Sequence, residues 1–445
     1  MYLYAKGIKP NRRSCMRTVS KTVIGVDFGT QSARAVLVNA ENGEIIYSCR
    51  KEYPYNSTPV PAIDCAENLP CATDYEMTLY ELLRNVIPEE YRKTVAGICV
   101  DATSLTMVLL AEDGRALSEL DGWSEAAHAR VKLWKYHRAQ EKADEALNLA
   151  RNLQEPFLGR TGGSISCEWM LPKLLEVRDE APEIYSKIDL AMDLCEFLTF
   201  RLTGQLVRSI GSLSYKCLWA EDLSFPERTF LNGLRAGFYE EYCRCLRGDV
   251  RKPGECAGML RSELTKRWGL PEQIPVATGM LDGHTSLATM GAFEPGDAAL
   301  IVGTSNVCTV QDRKLQELKD VCGVAQDGMV TGSCGIDTGQ SSTGNMLGWF
   351  VEHMAGWQIH REAEERKISP HQVLAERIQK PWENKVIAVD WWSGSRNAPC
   401  DLTLRGSMSG LEMDTKTEDI YLALLQAIAC GTGTILESLS GQGVA

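Results

Sequence analysis

The stretch Val23 to Val38, VIGVDFGTQSARAVLV, joins two strand-like apolar runs by a turn that carries Asp27, Gly29, Thr30, Gln31 and Ser32. A hairpin needs only Gly or Asn at its turn, so the carboxylate and the hydroxyl and amide side chains call for another explanation. Glycine lets the backbone approach a ligand closely, and consecutive N–H groups form an anion nest without a lysine. These residue types suit a phosphate, with Asp27 placed to hold its Mg²⁺ through water. The commoner phosphate loop, GxxxxGK followed by Ser or Thr, is absent, as is a complete GxGxxG after a strand.

A similar pattern starts at Ala298, AALIVGTSNVCTVQ, with Gly303, Thr304 and Ser305 at its turn. One such turn in each half predicts two related domains on either side of a nucleotide; two unrelated hairpins would leave the same pattern. Phosphoryl transfer also needs a base aligned with the attacking hydroxyl. In PVATGMLDGHTSLATMGAF, Asp282 lies between an apolar strand and a small-residue helix start, where a carboxylate can project into a cleft. His284 is its rival, and capping of a helix that begins near Thr285 is the alternative use of Asp282. Asp337, in SCGIDTGQSSTGN, either binds a hydroxylated ligand or shapes a turn.

The elements that must position these groups read as an α/β protein. VIGVDF, RAVLVN and GEIIYSCRKEY form a meander; TDYEMTLYELLRNVI has helical spacing; VAGICVDAT is a buried-strand candidate. A loop with Pro and Cys occupies residues 54–73. Residues 124–155 read as one or two helices and WMLPKLLEVRDEAPEIY as another, their charges being solvated faces.

With 445 residues, 44% apolar and 24% charged, the chain exceeds what one core serves, which predicts two domains. A net charge of −12 opposes binding to nucleic acid or an anionic membrane. No apolar run reads as long enough for a membrane span, and the N-terminus MYLYAKGIKPNRRSCMR is basic without an apolar core before a cleavage site, so a cytoplasmic protein is expected. Residues 1–21 read as a flexible arm, with Met16 a second candidate start. The sixteen cysteines are scattered and read as reduced thiols; Cys243 and Cys245 lack the spacer of a zinc knuckle.

Taken in order, VDFGTQSARAVLV, GICVDATSLT, VKLWKYHRAQEKADE, GGSISCEWMLPKLLEV, SYKCLWAED, LDGHTSLATMGA, IVGTSNVCTV, CGIDTGQSSTGNMLGWF and VIAVDWWSGSRNAP resemble the FGGY carbohydrate kinases, and among them the L-ribulokinases. The resemblance implies an actin-like (ribonuclease H-like) two-domain fold that closes on sugar and Mg·ATP. The N-terminal domain would span residues 22–278 and the C-terminal domain 279–445. It implies that Asp282 is the general base, that Gly29, Thr30, Gly303, Thr304 and Ser305 bind phosphate, and that Lys216, Ser104 and Asp337 line the sugar pocket. The implied reaction moves the γ-phosphoryl of ATP to the terminal hydroxyl of L-ribulose.

Three departures qualify this. Tyr136 in LWKYH stands where the family usually has Asp, and Asp337 where ribulokinases usually have Glu, so another pentulose or polyol is an alternative substrate. The chain stops at ILESLSGQGVA, before the strand, Gly-Gly turn and helix that supply much of the family's adenine pocket. The expectation is an incomplete second domain with an unpaired sheet edge and an uncovered apolar face. A vestigial sugar-binding fragment and an ATPase acting on protein are the further readings; a homo-oligomer is left open, and an exposed C-terminal edge would favour non-native association.

Overall fold

The computed structural model describes residues 21–54, 69–396, 401 and 403–444. The expected N-terminal arm, but for Lys21, and most of the expected loop at 54–73 lie outside the described residues. Two compact units are formed. The first takes the described residues up to Leu158, then Ile165–Thr285 and Ala325–Gly332; the second takes Gly159–Ser164, Ser286–Val324 and those from Ser333 on.

In the first unit β1 (Thr22–Phe28), β2 (Ser32–Asn39) and β3 (Ile45–Glu52) form the antiparallel meander, and β4 (Val95–Ala102) runs parallel to β1. A parallel neighbour needs a crossover. The helix Ala72–Val86 lies on that crossover and buries Tyr75, Leu79, Leu82, Leu83 and Val86, one face at helical spacing. Two small ribbons follow, β5 (Met107–Leu110) with β6 (Leu190–Asp193) and β7 (Val207–Ser209) with β8 (Asp249–Arg251). The sheet is completed by β9 (Cys256–Met259), β10 (Pro275–Ala277) and β11 (Met280–Leu281); β10 and β11 run parallel to β4. The order is β3-β2-β1-β4-β10-β9, with β11 on β4. β1, β4 and β11 therefore end at the same edge, and α/β sheets place ligands outside the carboxyl ends of their strands.

A second core of this unit is helical, built on Gln140–Leu153, Met170–Glu180 and Phe238–Cys245. One sequence expectation is met here and another needs correction. Residues 124–155 hold one α-helix, Gln140–Leu153, and a short 3₁₀ turn at Ala127–Ala129. Between them Lys132 and Met107 exchange backbone hydrogen bonds of 3.1 and 2.9 Å, which fixes an extended segment that buries Val131 and Leu133. Nor are all the charges solvated: Arg130, Lys132, Lys173 and Glu176 are buried.

A buried ion pair ties this core to the β7 ribbon. Arg208, fully buried, donates to Glu196 Oε2 at 2.8 Å and to the carbonyls of Ala191, Cys245 and Arg247 at 2.9, 2.9 and 3.0 Å. Glu196 Oε1 accepts the Ser209 N–H at 2.9 Å. Such a pair is tolerated only when its remaining donors and acceptors are met, as here.

In the second unit β12 (Ala298–Val302), β13 (Asn306–Asp312), β14 (Gly323–Gln326) and β15 (Cys334–Gln340) form a sheet of order β12-β13-β15-β14. Among the described residues β12 is an edge strand, with Leu300 and Val302 exposed. The helix Thr417–Gly441 places Ile435 and Leu439 in a core with Ile336, and Tyr421 and Leu424 in another with Phe350. By length and composition alone this helix could cross a membrane, its most apolar window having a mean hydropathy of 1.4. That corrects the reading that no run is long enough; Ala and Gly keep the run uncharged while one face serves the core. The thirteen described cysteines are unbridged thiols.

Candidate active site

The strand ends bring three carboxylates together. In the parallel register Asp27 of β1 stands beside Asp101 of β4, and Met280 of β11 flanks Asp101 on the other side, so Asp282 follows where β11 becomes the helix Asp282–Met290. Burial and the charges of Asp27 and Asp282 push Asp101 up to about 8, opposed by the Thr285 hydroxyl. Burial also raises Asp27, while a hydrogen bond from Asp101 and the charge of Arg34 pull it down. The pair therefore keeps one proton between its two carboxyl groups into the neutral range. Asp101 Oδ1 has no partner among the described residues.

Asp282 is half-buried by exposed surface. Burial and the charge of Asp27 push it up to about 7, against the N–H groups of Gly283 and Ser104 and the charge of Lys216. Its Oδ1 accepts from Gly283 N–H at 2.7 Å, and its carbonyl accepts from the Thr285 hydroxyl at 2.7 Å. Lys216 ends the helix Ile210–Lys216 and is largely buried. The buried Ser104 hydroxyl has no partner among the described residues, which leaves a polar group free beside the carboxylate. His284 is buried edge-on against Tyr215, ring centroids 4.7 Å apart.

The turn after β1 is tightly braced. Gly29 N–H donates to the Ser32 carbonyl at 3.2 Å, and its own carbonyl accepts the Tyr53 hydroxyl at 2.8 Å. Thr30 Oγ1 accepts from the Trp134 indole at 3.1 Å, and Ser32 Oγ accepts from Arg50 at 3.0 Å. Gln31 projects into solvent.

In the second unit Gly303, Thr304 and Ser305 connect β12 to β13. The start of the helix Gly344–Met354 is laced to them: the N–H groups of Thr343 and Asn345 donate to Thr304 O at 3.2 and 3.1 Å, and that of Gly344 to Gly303 O at 3.0 Å. A Cβ on Gly344 would stand 2.4 Å from Gly303 O, so only glycine permits this approach. The helix start thus spends its first N–H groups on bracing this turn. Asp337 lies in the buried strand β15 opposite Thr309. Its charge, after burial, raises the Cys308 thiol to about 11.

The first unit thus brings Asp27, Ser104, Lys216 and Asp282 into one cluster with the first turn, while Gly303, Thr304, Ser305 and Asp337 belong to the second unit. Tyr136 is buried beside Glu176, with the Lys132 ammonium 5.4 Å from the centroid of its ring. Sequence reasoning passed over Asp101, Trp134, Thr343 and Asn345. Asp101 had a signal: VDFGT and VDATS both end an apolar strand on Val-Asp followed by small residues. Among the described residues no three acidic, His or Cys side chains could hold a metal ion unaided. Asp27 and the unpartnered oxygen of Asp101 instead fit a Mg²⁺ that keeps most of its waters.

Residues 22–289 match the N-terminal domain, and residues 298–445 the C-terminal domain, of the FGGY family of carbohydrate kinases. The chain is 34% identical over 435 residues to the ribulokinase of Halalkalibacterium halodurans, covering 96% of this chain and 77% of that protein. It is 36% identical over 436 residues to the ribulokinase of Mycolicibacterium smegmatis, covering 95% and 77%. The xylulose kinase of Rhodospirillum rubrum has a similar structure, with a TM-score of 0.72 at 20% identity over 96% of this chain and 80% of that one. Plasmodium falciparum glycerol kinase gives 0.72 at 17% identity over 95% and 79%. Both domain matches and the shared actin-like α/β fold place this chain in the FGGY family of carbohydrate kinases, as an ATP-dependent sugar kinase.

Proposed function

We propose that the substrate is a ketopentose, with L-ribulose as the first candidate and its terminal hydroxyl as the acceptor, and that Asp282 is the general base. The observation that carries this reading is the Asp282 carboxylate, raised to about 7 at a strand-to-helix junction beside Asp27 and Asp101. A base whose pKa lies near the working pH combines a usable fraction of the charged form with sufficient basicity. ATP supplies the γ-phosphoryl group. Asp27 and Asp101 would hold its Mg²⁺ through water; Thr30, on the turn that Gly29 braces, and Thr304 and Ser305, on the turn that Gly303 braces, offer N–H and hydroxyl groups to phosphate, and Gln31 and Ser32 close the first turn. Lys216 and Ser104 orient the sugar beside Asp282, and Asp337 contributes a further polar contact. Resemblance to ribulokinases at 34–36% identity supports a pentulose. The setting proposed for the reaction is the cytoplasm.

The test is coupled ADP release by the purified chain with Mg·ATP across ketopentoses, aldopentoses and polyols, against a no-sugar control. Release dependent on L-ribulose or another pentulose is the expected result. Release that ignores sugar would favour an ATPase. Sugar binding without release would leave a non-catalytic sugar-binding protein.

A further inference from the structure

Leu105 follows the Ser104 that donates its N–H to Asp282, and its backbone has φ +45°. A bulky non-glycine residue in that region is strained by about 1–3 kcal/mol unless its surroundings over-determine it. Here they do. The Leu105 N–H donates to Asp193 Oδ2 at 3.0 Å, and the Leu105 carbonyl accepts from Lys173 Nζ at 3.0 Å. Asp193 and Lys173 are both fully buried. Asp193 is itself fixed by the Ser212 hydroxyl at 3.0 Å.

The same ammonium reaches a second loop. Lys173 Nζ donates to the Leu133 carbonyl at 2.8 Å and lies 3.5 Å from that of Lys132. Leu133 precedes Trp134, whose indole N–H holds Thr30 in the first phosphate turn. A single cation therefore joins a loop that ends on the proposed base to one that ends on the proposed phosphate turn. A buried lysine is costly, and burial lowers this one to about 7. If volume were the only requirement, an apolar side chain of that length would fill the site at lower cost.

We propose that Lys173 is a positioning residue that, with Asp193, holds the Ser104 and Trp134 loops in register with each other, so that Asp282 and Thr30 are preorganised for phosphoryl transfer. This rests on the kinase reading for its purpose but not for its test. Reacting groups misplaced by a fraction of an ångström lose rate before they lose binding, because alignment is needed chiefly in the transition state.

Two variants decide it. Lys173→Met keeps the volume and removes every donor; Lys173→Gln keeps two N–H donors on a shorter arm. Backbone amide exchange is followed at residues 103–107 and 132–135, with helix Ala72–Val86 as internal control, beside steady-state kinetics with the best pentulose. The expected result is local exchange about ten-fold faster in Lys173→Met, smaller in Lys173→Gln, with the control helix unchanged. In the kinetics, kcat falls about 10- to 100-fold while the sugar KM moves less than three-fold. Exchange raised equally in the control helix, or Met performing as well as Gln, overturns the proposal in favour of a cation that merely fills the core. Should Lys173→Met fail to fold, Lys173→Gln against wild type carries the same comparison, and unchanged local exchange there overturns it. If wild type releases no ADP with any sugar, the kinase reading fails, and exchange still decides whether Lys173 clamps the two loops.

Discussion

Asp27 and Asp101 stand side by side on the parallel strands β1 and β4, their carboxyl groups sharing a hydrogen bond and one proton. Two like charges at this spacing cannot both be exposed to a dry sheet edge, so one carboxyl keeps its proton into the neutral range. That raises the pKa of Asp101 far above its unfolded value of 3.8. The folded state then binds the proton that the unfolded state has released. The associated stability is complete below about pH 4, the unfolded value, and is lost as pH rises through about 8. Asp101→Asn removes this dependence, so its melting temperature relative to wild type should climb from pH 4 to pH 8 in calorimetric scans. A constant offset across that range would count against the shared proton.

Mg²⁺ competes for the same oxygens. Without nucleotide, millimolar Mg²⁺ should stabilise the chain more at pH 8, where the pair is deprotonated, than at pH 5, and Asp27→Asn should abolish the difference. Thermal shift at the two pH values measures it.

For a base that must be ionised, activity should fall on the acid side with a midpoint near the Asp282 value of about 7. Asp282→Asn should lower kcat by roughly 10²–10⁴-fold with a much smaller change in sugar affinity. Removing the Lys216 charge with Lys216→Met should shift the acid limb of kcat/KM to higher pH and weaken sugar binding, since that charge opposes the rise at Asp282. A pH–rate profile for each variant, with sugar affinity by calorimetry, separates the two roles.

The second unit offers an independent handle on nucleotide. Gly344→Ala puts a methyl 2.4 Å from the Gly303 carbonyl, and backbone must move to admit it. The KM for ATP should rise at least about ten-fold, as expected when a preorganised phosphate turn is displaced, with sugar affinity kept. Equal ATP kinetics would remove this turn from the nucleotide site.

Arg208→Met should be among the most destabilising single changes in the first unit, because it leaves Glu196 charged and buried beside three unsatisfied carbonyls. Breaking one side of such a pair costs about 3–5 kcal/mol. Urea melts of the single variant and of the Arg208→Met, Glu196→Met pair test it, the double variant being expected to recover part of the loss.

Much of the first unit was legible because its signals are local: alternation marks β1 and β2, and helical spacing marks Ala72–Val86, observed within one residue of the segment read from sequence. Asp27 and Asp282 were legible for the same reason, each ending an apolar run beside glycine. Long-range pairings could not be read. Residues 130–136 carry Lys and Arg like a solvated helix, yet exchange of backbone bonds with Met107 makes an extended bridge at Lys132, its side chain inside, followed by a turn at Trp134 and Lys135. Lys173 looks in sequence like any surface cation on a helix; its three carbonyl neighbours come from positions more than thirty residues away. Asp101 was missed because a single Asp in a buried strand gains meaning only from the strand placed next to it.

The edge strand β12 bears on how the protein behaves in a tube. Among the described residues it offers one row of unpaired backbone groups with Leu300 and Val302 exposed alongside, the template on which strands from separate molecules add. A net charge of −12 keeps molecules apart through a repulsion that reaches about 10 Å at 0.1 M salt and 3 Å at 1 M. Salt should therefore act as a colloidal switch: clear solutions when dilute in electrolyte, growing scatter as counterions shorten the range of repulsion, and relief from a single lysine placed at Leu300.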